Sequence, residues 1–245
     1  FPFPLAPRPG VTFPYGIAAQ FSIAVAGDSV FWLSKTAQGT GLVVRARGYV
    51  PQPVSSLALE NAIAGYLRTS RIDDAEGQVY QKSGHTFYIL RFPTANATWA
   101  YDLRTGLWHE RGKWVAANDA YDVWHPRVIC EAFGKMLVGD QTSGTIAEMD
   151  DTIYTELDGT GIRRVRIPNA LRVQPDERGF IDRFELGIQT GVGLSTGQGS
   201  NPTVMLRWSQ DYGQTWGNQY SRSFGKQGLY RTICVWTACG SSDKA

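Results

Sequence analysis

Turns that contain glycine recur about every fifty residues and divide the first two thirds of this 245-residue chain into three similar stretches. The turns lie at Gly27, Gly84 and Gly134, and each separates two apolar runs. Each stretch then continues through a longer turn, an alternating run and a short last run, which predicts an antiparallel meander of four strands. A repeat of roughly fifty residues is typical of the blades of a β-propeller. The sequence therefore predicts an all-β fold of propeller-like blades.

The second stretch shows the period of a strand most clearly. In TWAYDL, Trp99 and Tyr101 alternate with Thr98 and Ala100, which predicts a strand with one buried face. A single four-stranded meander has two exposed faces and two exposed edges. Because meanders stacked around an axis bury those faces, we expect the three stretches to be neighbouring blades. The repeat pattern leaves open whether the blades complete a propeller or form an incomplete one.

One segment between the first and second stretches has the period of a helix. Leu59, Ile63 and Leu67 recur every four residues, and Ser55 or Ser56 stands where an N-cap is expected. We predict one short helix near residues 56–68. Elsewhere the composition favours strands and turns, since the chain is 12% aromatic and contains 27 glycines.

The two ends of the chain depart from the repeat. Residues 1–17 carry five prolines, which predict an extended lead-in, and the natural protein is expected to begin further upstream. Residues 18–161 hold the predicted blades and the helix. Residues 162–245 are predicted to form a C-terminal antiparallel β unit, either a last blade or a small sandwich. Its first strand is expected in IRRVRIP, followed by a turn at DERG.

The most specific local motif lies in this C-terminal unit. The run SQDYGQTW matches the pattern S-x-D-x-G-x-T-W of an Asp-box hairpin at every defined position. Its structural residues are Ser209, Asp211, Gly213, Thr215 and Trp216. Asp211 is expected to accept backbone N–H bonds across the turn, Gly213 to supply a positive φ, and Trp216 to pack beneath the hairpin as an anchor. Such hairpins lie at the periphery of sugar-handling propellers, so the motif indicates a structure and not an activity.

An Asp-box propeller that binds or hydrolyses glycans, like a sialidase, is the alternative function. That chemistry needs an acid/base carboxylate, an activated nucleophile and a group of arginines that grip a carboxylate. The candidates are Arg45, Arg47, Arg91, Arg104 and Glu110. Their spacing singles out none of them, and only one Asp box is present. We therefore predict no catalytic residue and no enzyme activity.

No cofactor or metal site is predicted either. The remaining polar candidates lack the spacing of a ligand set and are expected at turns and solvated edges: His85, His109 and His125; Glu148, Asp150 and Asp151; and Arg163, Arg164 and Arg166. The glycine-rich loop at residues 190–201 precedes a strand, so it is a connector and not a phosphate cradle. The three cysteines are expected to be reduced and buried: Cys130, Cys234 and Cys239. No apolar run is long enough to span a membrane, and a net charge of +2 is too small to predict a polyanion partner.

Several segments together resemble one family of short-tailed phages (podoviruses). They include FWLSKTAQGTGLVVRARGY, GHTFYILRFPTANATWAYDLRTGLWHERG, KMLVGDQTSGTIAEMD and VMLRWSQDYGQTW. This family is the packaged-DNA stabilisation family, also called tail accessory factor or tail nozzle protein. The resemblance covers most of the chain from about Phe21 to Trp236. It departs from the family at both ends, since a substantial N-terminal region is lacking and the chain closes on TACGSSDKA, where a basic Gly/Arg run and a further strand are usual.

The resemblance implies a structural protein of the virion, at the head-to-tail junction, assembled in the host cytoplasm. Such a protein extends the portal channel and retains packaged DNA without reading its sequence. The implied partners are further copies of the chain in a ring of six, the portal-adaptor protein above, and the tail needle or other tail proteins below. Rings of this kind close through heterologous contacts between neighbouring subunits.

Overall fold

The structure is a computed structural model, and it describes residues 9–35, 41–115, 117, 120–168, 179–211, 213 and 215–242. The chain divides into two compact units, Phe1–Arg164 and Val165–Ala245. Nearly all regular structure is antiparallel β, with one α-helix among the described residues. The predicted fold class is therefore confirmed. The predicted lead-in lies partly outside the described residues, and its last two residues form a short strand.

In the part of the first unit that the structure describes, three antiparallel sheets follow one another along the chain. Five strands form the first sheet: Gly16–Ile17 (β1), Ala24–Ala26 (β2), Ser29–Lys35 (β3), Gly41–Arg47 (β4) and Val50–Pro53 (β5). Five strands form the second sheet: Glu76–Lys82 (β6), His85–Phe92 (β7), Ala97–Asp102 (β8), Leu107–Val115 (β9) and Ala120–Val123 (β10). Three strands form the third sheet: Pro126–Ala132 (β11), Lys135–Asp140 (β12) and Ile146–Glu148 (β13).

The sheets are meanders, as the glycine-marked turns predict. The order is β10-β9-β8-β7-β6 in the second sheet and β11-β12-β13 in the third, while β1 and β2 both pair with the same strand, β3, in the first. The opening strands of consecutive sheets contact each other, β2 with β6 and β6 with β11. This is the contact pattern of neighbouring propeller blades, whose first strands lie closest to the axis. Among the described residues no sheet closes on itself.

Two details of the predicted blades are wrong. The short last run of the third stretch is TIYTE, and instead of the predicted fourth strand it forms only an isolated bridge between Thr155 and Gly161. The alternation in β8 does not leave one face exposed, because Thr98 and Ala100 are fully buried. The second sheet lies between two others, so both of its faces are covered.

The helix forms where the sequence places it. It spans Leu57–Thr69 (α1), and the Ser56 hydroxyl accepts the Leu59 N–H at 3.3 Å as the N-cap. Leu59 and Ile63 are fully buried against the first sheet. Leu67, the third member of the predicted stripe, is largely exposed.

The interface between the first and second sheets depends on Ser22, in the 3₁₀ turn Gln20–Ser22. Its hydroxyl accepts the Leu33 N–H at 2.9 Å and donates to the Ala19 carbonyl at 2.7 Å. Its own carbonyl accepts the Tyr88 hydroxyl from β7 at 2.8 Å, and burial raises the pKa of Tyr88. Gly77 of β6 packs directly against this carbonyl, because a Cβ there would overlap the Ser22 backbone.

The described residues of the second unit form six short strands in three pairs. They are Gly179–Phe180 (β14), Arg183–Leu186 (β15), Thr203–Leu206 (β16), Tyr220–Ser223 (β17), Cys234–Thr237 (β18) and Ser241–Ser242 (β19). The pairs are β14 with β19, β15 with β18 and β16 with β17. The IRRVRIP segment forms no strand, contrary to expectation, and the DERG turn lies mostly outside the described residues. The core of this unit forms around Cys234, Trp236 and Cys239.

The contact at Gly77 gives a test of the packing between the first two sheets. We expect Gly77→Ala to lower the free energy of unfolding by about 1–3 kcal/mol, because the added methyl group meets backbone that has no room to move. Gly65→Ala is the matched control, since a Cβ at Gly65 meets open space in the middle of α1. It should raise stability by roughly 0.5–1 kcal/mol through helix propensity. Urea unfolding of both variants measures the difference, and equal effects would contradict the close packing.

Candidate functional site

The Asp-box motif forms a hydrogen-bonded turn between β16 and β17. The Asp211 carboxylate accepts the Thr215 N–H at 2.7 Å and the Thr215 hydroxyl at 2.5 Å. The Ser209 hydroxyl accepts the Gly213 N–H at 2.8 Å and donates to Asp211 at 2.7 Å. Gly213 has a φ of +90°, the backbone conformation for which the motif requires glycine. The connection spans residues 207–219, and the Gly217 N–H bonds to the Trp208 carbonyl at 3.0 Å at its base.

The Trp216 ring lies close to Gly213 of this turn, since an added Cβ there would be 3.7 Å from it, and Trp216 is only half-buried. The Arg207 guanidinium stands over its ring, 5.1 Å from the centroid. The buried tryptophan of the unit is Trp236, which is 3% exposed and donates its indole N–H to the Tyr220 carbonyl at 3.0 Å. Because β17 begins at Tyr220, this bond holds the end of the Asp-box connection to the core.

Three of the arginine candidates for a glycosidase site have local partners instead of a shared one. Arg45 donates to the Ser29 hydroxyl at 2.9 Å, and Arg47 pairs with Asp28. Arg91 is buried in β7, where it pairs with Glu76 at 3.0 Å and donates to the Gln141 side chain. Burial raises the pKa of Glu110 on β9, and no neighbouring carboxylate contributes to this rise. These contacts support structural roles.

Two of the three histidines pair with aspartates at strand ends. His85 Nδ1 lies 2.7 Å from Asp102, and His125 Nδ1 lies 2.8 Å from Asp140. Burial opposes ionisation of Asp140, but hydrogen bonds from Ser143, Thr142 and His125 together hold its pKa well below the usual range. In the described part of the chain no group of three or more histidine, cysteine or acidic side chains is arranged to hold a metal ion. Cys130 is exposed, contrary to expectation, while Cys234 and Cys239 are buried.

A cluster of aromatic and polar side chains surrounds Arg111 on β9. No pattern in the sequence singled out this residue. Its guanidinium carbon lies 5.4 Å from the ring centroid of Tyr80 and 4.9 Å from those of Phe87 and Trp124. It donates to the Tyr80 hydroxyl and, through Nε, to His109 Nε2 at 3.1 Å. A cation among three rings gains from their negative faces. The spacing of aromatic residues along β6 and β7 is the only sequence signal for this cluster.

His109 is neutral in this arrangement, because its Nε2 accepts the bond from Arg111. Loss of solvation together with the neighbouring guanidinium lowers the pKa of His109 to about 4. The imidazole edge of His109 is still partly accessible to solvent. The cluster is therefore a set of polar contacts at the surface of the second sheet. Trp124, which immediately follows β10, connects the cluster to the third sheet.

Two protein-family models match the chain. The model described as bacteriophage P22 Gp10, beta-propeller, matches residues 2–154. The model described as bacteriophage P22 Gp10, beta-sandwich, matches residues 170–244. The first model alone covers more than half of the chain. The chain belongs to the bacteriophage P22 Gp10 family.

Proteins of the P22 Gp10 family are structural proteins of the tail of a short-tailed phage, and the family predicted from the sequence is confirmed. The chain is therefore a virion component that binds other virion proteins. A search of curated proteins found no match to it. No helix among the described residues is long and apolar enough to cross a membrane.

Two of the three tryptophans of the P22 Gp10 β-sandwich region, Trp216 and Trp236, provide a test of what anchors the Asp-box turn. Trp236→Ala should cost about 3–5 kcal/mol, because it empties a buried site and removes the bond to Tyr220. Trp216→Ala should cost roughly 1 kcal/mol, since the ring is half-buried and its contact with Arg207 is near solvent. Unfolding followed by circular dichroism compares the two variants. A larger loss for Trp216→Ala would show that the motif tryptophan is the anchor.

The Arg111 cluster predicts a stability change with pH. The folded-state pKa of His109 lies below its unfolded value, so the unfolded chain binds the extra proton between about pH 6.5 and 4. The contribution of neutral His109 is present above pH 6.5 and is lost as the pH falls towards 4. His109→Gln should reduce the acid-side loss of stability by about 1 kcal/mol, a value discounted for partial exposure. In Arg111→Met, NMR titration should find the His109 pKa higher than in the parent, and an unchanged pKa would contradict the coupling.

Proposed function

We propose that the chain is a ring-forming subunit of the head-to-tail junction that extends the portal channel and retains packaged DNA. The observation that carries this proposal is the match of both P22 Gp10 family models, which together span nearly the whole chain. Six copies are expected around the tail axis. The portal-adaptor protein is the expected neighbour above, and the tail needle or other tail proteins are expected below.

The surface of the chain supports a role in assembly. Large apolar side chains are exposed in groups and not only singly, for example Phe21 in the 3₁₀ turn, Ile23 directly after it and Val25 in β2. Phe133 is 95% exposed at the β11–β12 turn, with a φ of +56° that is unusual for an aromatic residue. The equivalent turn in the second sheet carries Ser83 at a φ of 52°. Clustered apolar exposure of this kind marks surfaces that meet other proteins.

The proposed role includes no catalysis and no cofactor. DNA would be held by the closed channel and by contacts with its phosphates, which carry no sequence information. The glycan-processing alternative receives no support from the contacts of Arg45 and Arg91, since each is engaged by a partner in its own sheet.

Particles assembled without this protein provide the test. We expect their filled heads to lose DNA, and we expect the full chain added back to reduce that loss. The measurement is the fraction of packaged DNA that stays protected from nuclease, with heads that carry the portal and adaptor alone as the control. Electron microscopy of the rescued particles should locate the protein below the adaptor. Heads that keep all of their DNA in its absence would contradict the retention role.

A further inference from the structure

A loop in the C-terminal unit presents apolar and positively charged side chains without any carboxylate. We call residues 225–233, between β17 and β18, the basic loop. Its apolar members are Leu229, Tyr230 and Ile233, which are 55%, 70% and 62% exposed. Its charges are Lys226 and Arg231, and residues 224–242 contain no aspartate or glutamate. Exposed apolar side chains next to two positive charges are complementary to a partner surface that is apolar and acidic.

The basic loop is held in one shape by its neighbours. The Leu229 N–H bonds to the Lys226 carbonyl at 3.0 Å. The Gly228 N–H bonds to the Gly191 carbonyl at 3.0 Å, and the Thr190 hydroxyl bonds to the Tyr230 carbonyl at 3.0 Å. A Cβ at Gly191 would press on Tyr230, so the two loops pack closely. A surface ordered before binding loses less entropy when it docks.

A loop in the first unit has the opposite character. We call residues 150–160, which follow β13, the acidic loop. It contains four carboxylates and no lysine or arginine, and its carboxylates belong to Asp150, Asp151, Glu156 and Asp158. Its exposed apolar members are Ile153, Tyr154 and Leu157. Each loop therefore presents one isoleucine, one leucine and one tyrosine, with charges of opposite sign.

The acidic loop is also ordered by hydrogen bonds, and part of its negative charge remains available to a partner. The Glu156 N–H bonds to the Thr160 carbonyl at 2.7 Å, and the Ile162 N–H bonds to the Tyr154 carbonyl at 2.9 Å. Lys82 and Lys113 of the second sheet pair with Asp151 and Asp158. Asp150 accepts the N–H and hydroxyl of Thr152. These bonds, together with the nearby Lys82 and Lys135, lower the pKa of Asp150, so its carboxylate is charged.

We infer that the basic loop of one copy binds the acidic loop of a second copy. Two basic loops would repel each other, so a contact between identical patches is disfavoured. Joining unlike loops makes a heterologous contact, and repeated heterologous contacts generate a ring when the rotation closes. The inference rests on the proposed function, for which it supplies the two surfaces that join neighbouring subunits.

Two variants and their mixture test this pairing. The basic-loop variant is Lys226→Glu with Arg231→Glu, and the acidic-loop variant is Ile153→Arg with Leu157→Arg. The control is Arg68→Glu with Arg104→Glu, which makes the same change in net charge as the basic-loop variant at exposed positions outside both loops. Sedimentation of the full chain at several concentrations measures the assembly state of each.

We expect the parent and the control to assemble alike, and each loop variant to associate at least about tenfold more weakly. Raising the salt from 0.1 to 1 M should weaken the parent's association, because the screening length falls from about 10 Å to about 3 Å. The decisive result is the mixture. Each variant retains the one loop that the other has lost, so an equimolar mixture should form one-to-one pairs and nothing larger. Pairing in the mixture also shows that both variants are folded.

Three results would overturn the inference. Loop variants that assemble like the parent would remove these loops from the interface and leave the proposed ring intact. A parent that stays monomeric at every concentration would remove self-association altogether, while DNA retention is decided separately by the particle experiment. Binding of a duplex oligonucleotide that is lost only in the basic-loop variant, with assembly unchanged, would assign that loop to DNA.

Discussion

The structure of the first unit depends on the need to cover both faces of the second sheet. Along β7, Tyr88, Leu90 and Phe92 point towards the first sheet, while Phe87 and Ile89 point towards the third. A strand that is apolar on both faces has no solvated side, so the sheet that contains it is stable only between two others. The other elements of the unit follow from this requirement. The helix α1 and the turn at Ser22 fill the space on one side, and Trp124 with β11 covers the other.

Two arginines inside this stack show how the unit combines apolar packing with charge. Arg91 is nearly fully buried, and its charge is met by Glu76 and by the amide oxygen of Gln141 from the end of the third sheet. The guanidinium group of Arg111 lies over aromatic rings instead. A buried charge costs several kcal/mol unless it is paired, and both solutions require the second and third sheets to meet in a single register. The polar groups therefore fix how the sheets align, while the apolar groups provide the attraction.

The sequence predicted the elements whose signals are local. The turns at Gly27, Gly84 and Gly134 all have positive φ, and α1 begins at its expected cap, because both features depend on a few adjacent residues. The failures concern partners that a local pattern does not contain. IRRVRIP and TIYTE have the β-branched residues of strands, but strand propensity is expressed only where a neighbouring strand supplies hydrogen bonds. The burial of Thr98 depends in the same way on the third sheet, which the residues next to Thr98 do not predict. The Arg111 cluster brings together residues that are far apart in the sequence, from Tyr80 to Trp124.

The Asp-box turn shows the same division between local geometry and tertiary packing within a single motif. The motif specifies the hydrogen bonds of Ser209, Asp211 and Thr215, since all of them close within seven residues. It does not specify how the connection is attached to the core, and there the Trp236 indole N–H, twenty residues after the motif tryptophan, bonds to the Tyr220 carbonyl. A turn whose shape is fixed by its own hydrogen bonds can be attached to whatever the core supplies. Because the motif carries local shape and not chemistry, it is compatible with a sugar-processing propeller and with a phage tail protein alike, and the function of the chain has to be sought in the surfaces that its folded units present to other molecules.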